Sequence, residues 1–216
     1  MFKAALFDLD GVVFDTEPQY TRFWGDQARE FFKDTPGLEQ EIKGQTLVQI
    51  YDKYFCGEKS RLRGLITERL DAFERDMTFD YVVGFKAFVR DLRSHDVRTA
   101  VVTSSNKEKM KNVYRKRPEF KSSFDFILTS EDFTESKPSP DCYVKAAERI
   151  GVSFRECIVF EDSFNGLLSG RAARMTVVGL ATTNAAADIL PYSDMVIADY
   201  TGMDYRKCSL LVETND

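Results

Sequence analysis

The sequence predicts an α/β protein built on a doubly wound parallel sheet, with a helical domain inserted after the first strand. Short, continuously apolar runs recur along the chain and alternate with segments of helical periodicity. Strands that are apolar throughout are typical of a sheet covered by helices on both faces. Residues 15–82 break the alternation, because they contain helical patterns and no good strand.

The predicted strands are six apolar runs bounded by polar or turn residues: KAALFDL (3–9), VRTAVVT (97–103), FDFILT (124–129), ECIVFED (156–162), MTVVGL (175–180) and MVIAD (195–199). Four helical patterns lie between these runs, over residues 84–95, 106–117, 139–151 and 163–174. This alternation predicts a core domain made of residues 1–14 and 83–216.

Residues 15–82 are assigned to an inserted cap domain. Helical stretches cover 16–34, 46–55 and 61–77, and glycines separate them. Because ligands bind at the carboxyl edge of open α/β sheets, we expect this block to cover that edge, with hinges at 15–17 and 81–84. Aromatic residues at helical spacing are expected to form the cap's apolar interior: Phe23, Trp24, Phe31 and Phe32.

Composition restricts the classes of partner. The net charge of −5 argues against a nucleic-acid surface, and the densest basic stretch, residues 107–117, is interpreted as a solvated helix face. No apolar run approaches the roughly 20 residues of a membrane span. The four cysteines lack metal or disulfide spacing, which indicates reduced thiols and a cytoplasmic location. We expect a monomer without nucleic-acid or membrane partners.

Histidine-dependent chemistry is not expected. The chain has one histidine, His95, between a predicted helix and a predicted strand, and it has no nucleophile elbow of the GxSxG type. We therefore interpret His95 as a solvated turn residue.

Two pairs of acids follow apolar strands. Asp8 and Asp10 end the first strand, and Glu161 and Asp162 end a later one. Because parallel strands end at the same edge of a sheet, these acids should converge. A lone Asp-Gly would be read as a turn, but clustered carboxylates need a compensating cation, and Mg²⁺ is the natural candidate.

Two further strand ends offer partners for phosphate. Thr103, Ser104 and Ser105 lie just before a helix, where hydroxyl groups and free amides can bind an anion. Lys137 lies between turn residues ahead of another helix. Alone, these residues would be an ordinary helix cap and a surface charge, but beside the acids they indicate a phosphate site.

The motifs FDLDGVVFDTE, VVTSSN, SKPSPD and FEDSFNG resemble the four ordered motifs of the haloacid dehalogenase-like (HAD) superfamily. The resemblance implies a Rossmann-like core. More narrowly, the chain is similar to the helical-cap subfamily that contains β-phosphoglucomutases, phosphoglycolate phosphatase-type enzymes and other phosphatases of small metabolites.

This resemblance also implies roles for individual residues. Asp8 would be the nucleophile that becomes an aspartyl phosphate, and Asp10 the acid and then the base. Mg²⁺ would be held by the Asp8 carboxylate, the Asp10 backbone carbonyl, Glu161 and Asp162. The phosphate would contact Thr103, Lys137 and the Ser104 amide, while Ser163 and Asn165 would support the arrangement.

Three functions remain open: a magnesium-dependent phosphatase of small phosphorylated metabolites, a β-phosphoglucomutase-like phosphomutase, and a binding module without activity. A dehalogenase is disfavoured because it would need neither Asp10 nor a metal. The mutases resemble one another in a cap histidine, where this chain has Tyr20, and in a basic cap-loop residue that residues 44–47 do not supply. Lys43, Arg61 or Arg63 are the possible substitutes. Expected substrate contacts are Glu17, Tyr20, Gln45 and Thr46.

Overall fold

The computed structural model describes residues 1–33, 36–43 and 45–214. Its centre is a parallel six-stranded sheet in the order β3-β2-β1-β4-β5-β6. The strands are β1 (Ala4–Phe7), β2 (Arg98–Val102), β3 (Phe126–Leu128), β4 (Cys157–Glu161), β5 (Thr176–Leu180) and β6 (Met195–Ile197). All six predicted strands are confirmed, each one to three residues shorter at its ends.

Both faces of the sheet are buried, as the continuous apolar runs predicted. In β1, Ala5 and Phe7 belong to one apolar cluster, whereas Ala4 and Leu6 belong to the other. This alternation follows from side chains that point to opposite faces at successive residues.

Helices cover each face. Residues of α5 (Phe85–Ser94), α6 (Lys107–Lys116) and α10 (Tyr205–Thr214) pack in the first cluster. Residues of α7 (Asp141–Ile150), α8 (Phe164–Ala172) and α9 (Ala186–Ile189) pack in the second. The sequence predicted α5 to α8 but neither the short α9 nor the C-terminal α10. No helix in the described ranges is long and apolar enough to cross a bilayer.

The inserted segment is helical. It contains α1 (Glu17–Phe31), α2 (Leu38–Glu41), α3 (Leu47–Tyr54) and α4 (Arg63–Asp76), and a 3₁₀ helix over Gly57–Leu62 precedes α4. These helices surround their own apolar cluster, in which Phe23, Trp24 and Phe32 are buried and Phe31 is partly buried. The predicted aromatic interior is therefore confirmed, while the exact domain boundary at 15–82 stays a prediction.

The interpretation of residues 107–117 as a solvated face is wrong for part of the segment. Lys109 is only 5% exposed, because it points towards the acidic edge of the sheet. Three further basic side chains donate to backbone carbonyls in the last turn of α4 and just after it: Arg115 to Arg75 at 3.0 Å, Lys116 to Met77 at 2.7 Å and Arg117 to Phe79 at 2.7 Å. Charge density alone did not reveal that this helix packs against the chain returning from the insertion.

The order of the strands brings the motifs together. The chain runs from β1 to β2 and β3 on one side, and then returns to place β4 on the other side of β1. Phe7 pairs with Val101 of β2 and with Phe160 of β4, so Asp8 is level with Glu161. The crevice at this change of direction is where open α/β sheets bind ligands.

Candidate active site

Three acids converge at the carboxyl edge of β1 and β4. Asp8, Glu161 and Asp162 each offer a carboxylate oxygen, and these atoms lie within 4.8 Å of one another. The Asp8 amide donates to the Phe160 carbonyl at 3.0 Å, which extends the strand pairing to the site. The predicted convergence of the two acid pairs at one edge is therefore present in the fold.

Lys137 lies between two of these acids. Its ammonium donates to Asp8 Oδ1 at 2.6 Å, to Glu161 Oε1 at 2.7 Å and to the Val102 carbonyl at 3.0 Å. Burial on its own lowers the pKa of Lys137, but Asp8 and Glu161 raise it well above its usual value. Lys137 is consequently a permanent cation at this edge.

Glu161 is saturated with hydrogen bonds. Besides Lys137, its Oε1 accepts from the Tyr143 hydroxyl at 3.0 Å. Its Oε2 accepts from the amides of Asp162 at 3.0 Å and Ser163 at 3.2 Å, and from the Ser163 hydroxyl at 3.1 Å. This carboxylate therefore holds the loop after β4 and the Lys137 ammonium in place.

Asp162 is packed closely against the loop after β1. A β-carbon on Gly11, whose φ is +71°, would lie 2.0 Å from Asp162 Oδ2, so only glycine permits this approach. Thr183 donates to the same oxygen, and Asn184 donates to the Asp162 carbonyl at 2.8 Å. Burial and the neighbouring carboxylates raise the pKa of Asp162 well above its usual value.

Asp10 makes hydrogen bonds through its amide and through both carboxylate oxygens. Its amide donates to Asp8 Oδ2 at 3.1 Å, and its Oδ1 accepts from the Thr16 hydroxyl at 2.6 Å. Its Oδ2 accepts from the Ser105 hydroxyl at 3.2 Å and from the Lys109 ammonium. Sequence reasoning did not identify Thr16 or Lys109 as part of the site.

The predicted phosphate and support residues lie at the same edge. Thr103 is buried at the end of β2, and its hydroxyl accepts from the Ser105 amide at 3.0 Å. Ser104 is half-buried beside it. Ser163 caps α8 by accepting from the Gly166 amide at 3.1 Å, and Asn165 is half-buried in the first turn of that helix.

The inserted segment contacts this edge through several side chains, of which only Gln49 was not named from the sequence. Gln49 of α3 donates to the Lys137 carbonyl at 3.2 Å, and Lys43 donates to the Thr183 carbonyl at 3.4 Å. Glu17 lies near Asp10, and burial raises its pKa to about 7 although Lys43 lowers it. The cap segment thus lies directly over the acid cluster.

The other expected substrate contacts have protein partners. The Tyr20 ring lies 4.7 Å from the Lys109 ammonium, and its hydroxyl donates to Glu74 at 2.8 Å. Thr46 caps α3 by accepting from the Gln49 amide at 3.2 Å. Gln45 donates to the Glu41 carbonyl at 2.6 Å. Gly44, at the centre of the proposed cap loop, lies outside the described residues.

The donor set suits a hard divalent cation. Burial, together with the neighbouring Glu161 and Asp10 carboxylates, raises the pKa of Asp8 to about 7 despite the opposing effect of Lys137. A single ammonium therefore does not fully compensate the carboxylates at this edge. A divalent cation would favour their ionised forms, and carboxylate and carbonyl oxygens are the ligands that Mg²⁺ takes.

The family of the chain follows from a direct comparison. A family model described as "haloacid dehalogenase-like hydrolase" matches residues 2–174. The chain belongs to the haloacid dehalogenase-like hydrolase family. The match includes β1 to β4, the helical insertion and all four motifs, so the resemblance seen in the motifs is confirmed.

Individual HAD relatives include several phosphatases. Hexitol phosphatase A of Escherichia coli is 29% identical over 192 residues, covering 86% of this chain and 85% of that protein. The bifunctional riboflavin kinase/FMN phosphatase of Arabidopsis thaliana is 26% identical over 95% of the chain, which spans only 53% of that longer protein. The β-phosphoglucomutase of Clostridium difficile has a similar fold, with a TM-score of 0.81 at 22% identity over 99% of this chain and 98% of that one.

Proposed function

We propose that the chain is a magnesium-dependent phosphatase of small phosphorylated metabolites that works through a phosphorylated Asp8. The observation that carries this proposal is the convergence of Asp8, Lys137 and Asp162 at one sheet edge beneath the cap helices. The phosphatase names among its relatives support the same reaction class.

In the first half of the reaction, an Asp8 carboxylate oxygen attacks the phosphorus atom of a phosphate monoester. A P–O bond to Asp8 forms as the bond to the leaving oxygen breaks. Lys137, the Thr103 hydroxyl and the Ser104 amide would neutralise the charge of the non-bridging oxygens, and such neutralisation supplies most of the catalytic effect in phosphoryl transfer. A carboxylate nucleophile divides a very slow hydrolysis into two easier transfers.

Asp10 supplies the proton transfers. As a carboxylic acid it donates its proton to the leaving oxygen, which departs as an alcohol. As a carboxylate it then takes a proton from the water that attacks the aspartyl phosphate, so that Asp8 is regenerated and inorganic phosphate is released. Its place next to Asp8 in the loop after β1 suits both steps.

Mg²⁺ would be held by the Asp8 carboxylate, the Asp10 carbonyl and Asp162, with Glu161 acting directly or through water. When bound, it would supply charge neutralisation for the phosphoryl oxygens. Because Glu161 already accepts hydrogen bonds on both oxygens, its main contribution is to orient Lys137 and the Asp162 loop.

The cap favours hydrolysis of small substrates over a mutase reaction. A mutase must also bind a second phosphate, for which a cap arginine is the natural group. Arg63 instead donates to the carbonyls of Phe55 at 3.0 Å and Tyr51 at 2.9 Å, and Arg61 is exposed. Lys43 is the remaining basic candidate, so the phosphomutase is the alternative function to test.

The proposal is tested by phosphate release from a panel of phosphorylated sugars, polyols and nucleotides, with Mg²⁺ or with EDTA. We expect turnover of small monoesters in Mg²⁺ only, and none by the Asp8→Asn variant, which controls for contaminating phosphatases. Interconversion of sugar-phosphate isomers without phosphate release would favour the mutase. No turnover across the panel would refute an enzymatic role and favour a binding module.

A further inference from the structure

Lys109 is a buried cation that lies outside the four motifs. It belongs to the first turn of α6, four residues after Ser105, and its side chain is 5% exposed. Burying an ammonium group is costly unless it is paired. The pairing partner here is Asp10, the proposed acid and base.

The ammonium is enclosed by one carboxylate from the core and by two groups from the cap helices. On one side, Asp10 Oδ2 accepts a hydrogen bond from the ammonium. On the other side the Tyr20 ring of α1 lies 4.7 Å away, and Tyr20 in turn donates to Glu74 of α4 at 2.8 Å. Asp10 and Glu74 both stabilise the charged form of Lys109. Each charged group in this contact therefore has a partner of opposite charge or a hydrogen-bonding partner.

This contact restricts the orientation of the Asp10 carboxylate. Thr16 holds Oδ1 at 2.6 Å, while Lys109 and Ser105 hold Oδ2. A hydroxyl group can rotate to follow a moving acceptor. The Lys109 ammonium is fixed by its own burial, so it supplies the rigid part of this clamp.

We propose that Lys109 is a positioning residue, which orients the Asp10 carboxylate towards the leaving oxygen through this enclosed ion pair. The inference rests on the proposed phosphatase function, in which Asp10 protonates the leaving oxygen as its P–O bond breaks. Displacement of a reacting group by about 1 Å can lower a rate by about 10²-fold. Lys109 acts only through Asp10 and touches no reacting atom.

Lys109→Met is the direct test, because it keeps the length of the buried chain and removes the charge. The matched control is Lys111→Met on the same helix, where the exposed lysine pairs with Glu108 at 2.7 Å. Values of kcat/KM are measured with two substrates: an alkyl phosphate from the panel, whose leaving oxygen needs a proton, and p-nitrophenyl phosphate, whose leaving group needs little protonation.

We expect Lys109→Met to lower kcat/KM by about 10²-fold for the alkyl phosphate and by less than about tenfold for p-nitrophenyl phosphate. Asp10→Asn should give the same dependence on the leaving group. Lys109→Arg, which keeps the charge, should recover part of the loss, and Lys111→Met should match the wild type with both substrates. If Lys109→Met does not fold, Lys109→Gln is measured in the same way.

The outcomes separate the two proposals. Equal losses with both substrates, or a folded Lys109→Met variant that matches Lys111→Met, would overturn the role of Lys109 and leave the phosphatase proposal intact. A wild-type protein that releases phosphate from neither substrate would instead overturn the phosphatase proposal, and the role of Lys109 with it.

Discussion

The substitution Gly166→Ala is a test in which the structure and helix propensity predict opposite signs for the change in the free energy of unfolding. Gly166 is the third residue of α8, a position where alanine normally stabilises a helix by about 0.8–1.0 kcal/mol over glycine. In this fold, however, a β-carbon on Gly166 would lie 1.8 Å from Glu161 Oε1 and 2.3 Å from Oε2. The Glu161 carboxylate would have to move.

The cost of that movement follows from the contacts of Glu161. The displaced carboxylate loses Lys137 and Tyr143 on one oxygen, and the amides of Asp162 and Ser163 on the other. Breaking a buried ion pair costs about 3–5 kcal/mol. After the helix gain is subtracted, Gly166→Ala should lower the free energy of unfolding by about 2–4 kcal/mol, which is roughly 4–16 °C in Tm for a chain of this size.

Denaturant unfolding followed by circular dichroism measures the stability change, and phosphate release measures the effect on the site. We expect kcat to fall by roughly 10²-fold, because Lys137 and the Asp162 loop lose their support. Gly64→Ala is the matched control: Gly64 is the second residue of α4, and a β-carbon there meets nothing within 4 Å. Gly64→Ala should be neutral or slightly stabilising.

A Gly166→Ala variant that is as stable and as active as Gly64→Ala would refute the reasoning. It would mean that the Glu161 carboxylate has room to move without loss, so its hydrogen bonds would not hold the site together. A stability loss with unchanged kcat would separate the two effects, and it would limit Glu161 to a structural role.

Three further changes test the site directly. Asp8→Asn should abolish phosphate release and change Tm by only a few degrees, because burial already disfavours the charge of Asp8. The control is Asp188→Asn, at an exposed position. Residual turnover by Asp8→Asn would exclude Asp8 as the nucleophile. Asp162→Ala should raise the Mg²⁺ concentration for half-maximal rate by at least about tenfold, and an unchanged titration would remove it from the metal site. Lys137→Met should lower kcat by about 10²–10³-fold and the free energy of unfolding by about 3–5 kcal/mol, because Asp8 and Glu161 are left without their shared cation. Wild-type values for both quantities in that variant would contradict the role of Lys137.

The strands, the insertion and the main acids could be predicted from local patterns. Strands buried on both faces are apolar throughout, and parallel strands end at one edge, so Asp8 and Asp162 could be placed at the same edge of the sheet from the sequence pattern. The helical insertion was visible because its amphipathic periods interrupt that order. The family motifs added the expected roles to these positions.

Contacts between distant segments could not be predicted in this way. Nothing near Lys109 in the chain distinguishes it from its basic neighbours, and only the packing of α6 against the cap helices buries it beside Asp10. Tyr143 and Thr183 likewise contact the acids from segments without a motif.

The sequence by itself determined the sheet, the helical insertion and the edge at which the acids meet, because apolar periodicity and the position of acids after apolar runs can be read along the chain. Only the tertiary structure decided which cation each buried acid contacts, since Lys137 pairs with Asp8 and Glu161 while Lys109 pairs with Asp10. Those pairings depend on burial and on distances of a few ångströms between segments far apart in the chain, and a residue's charge does not encode either quantity.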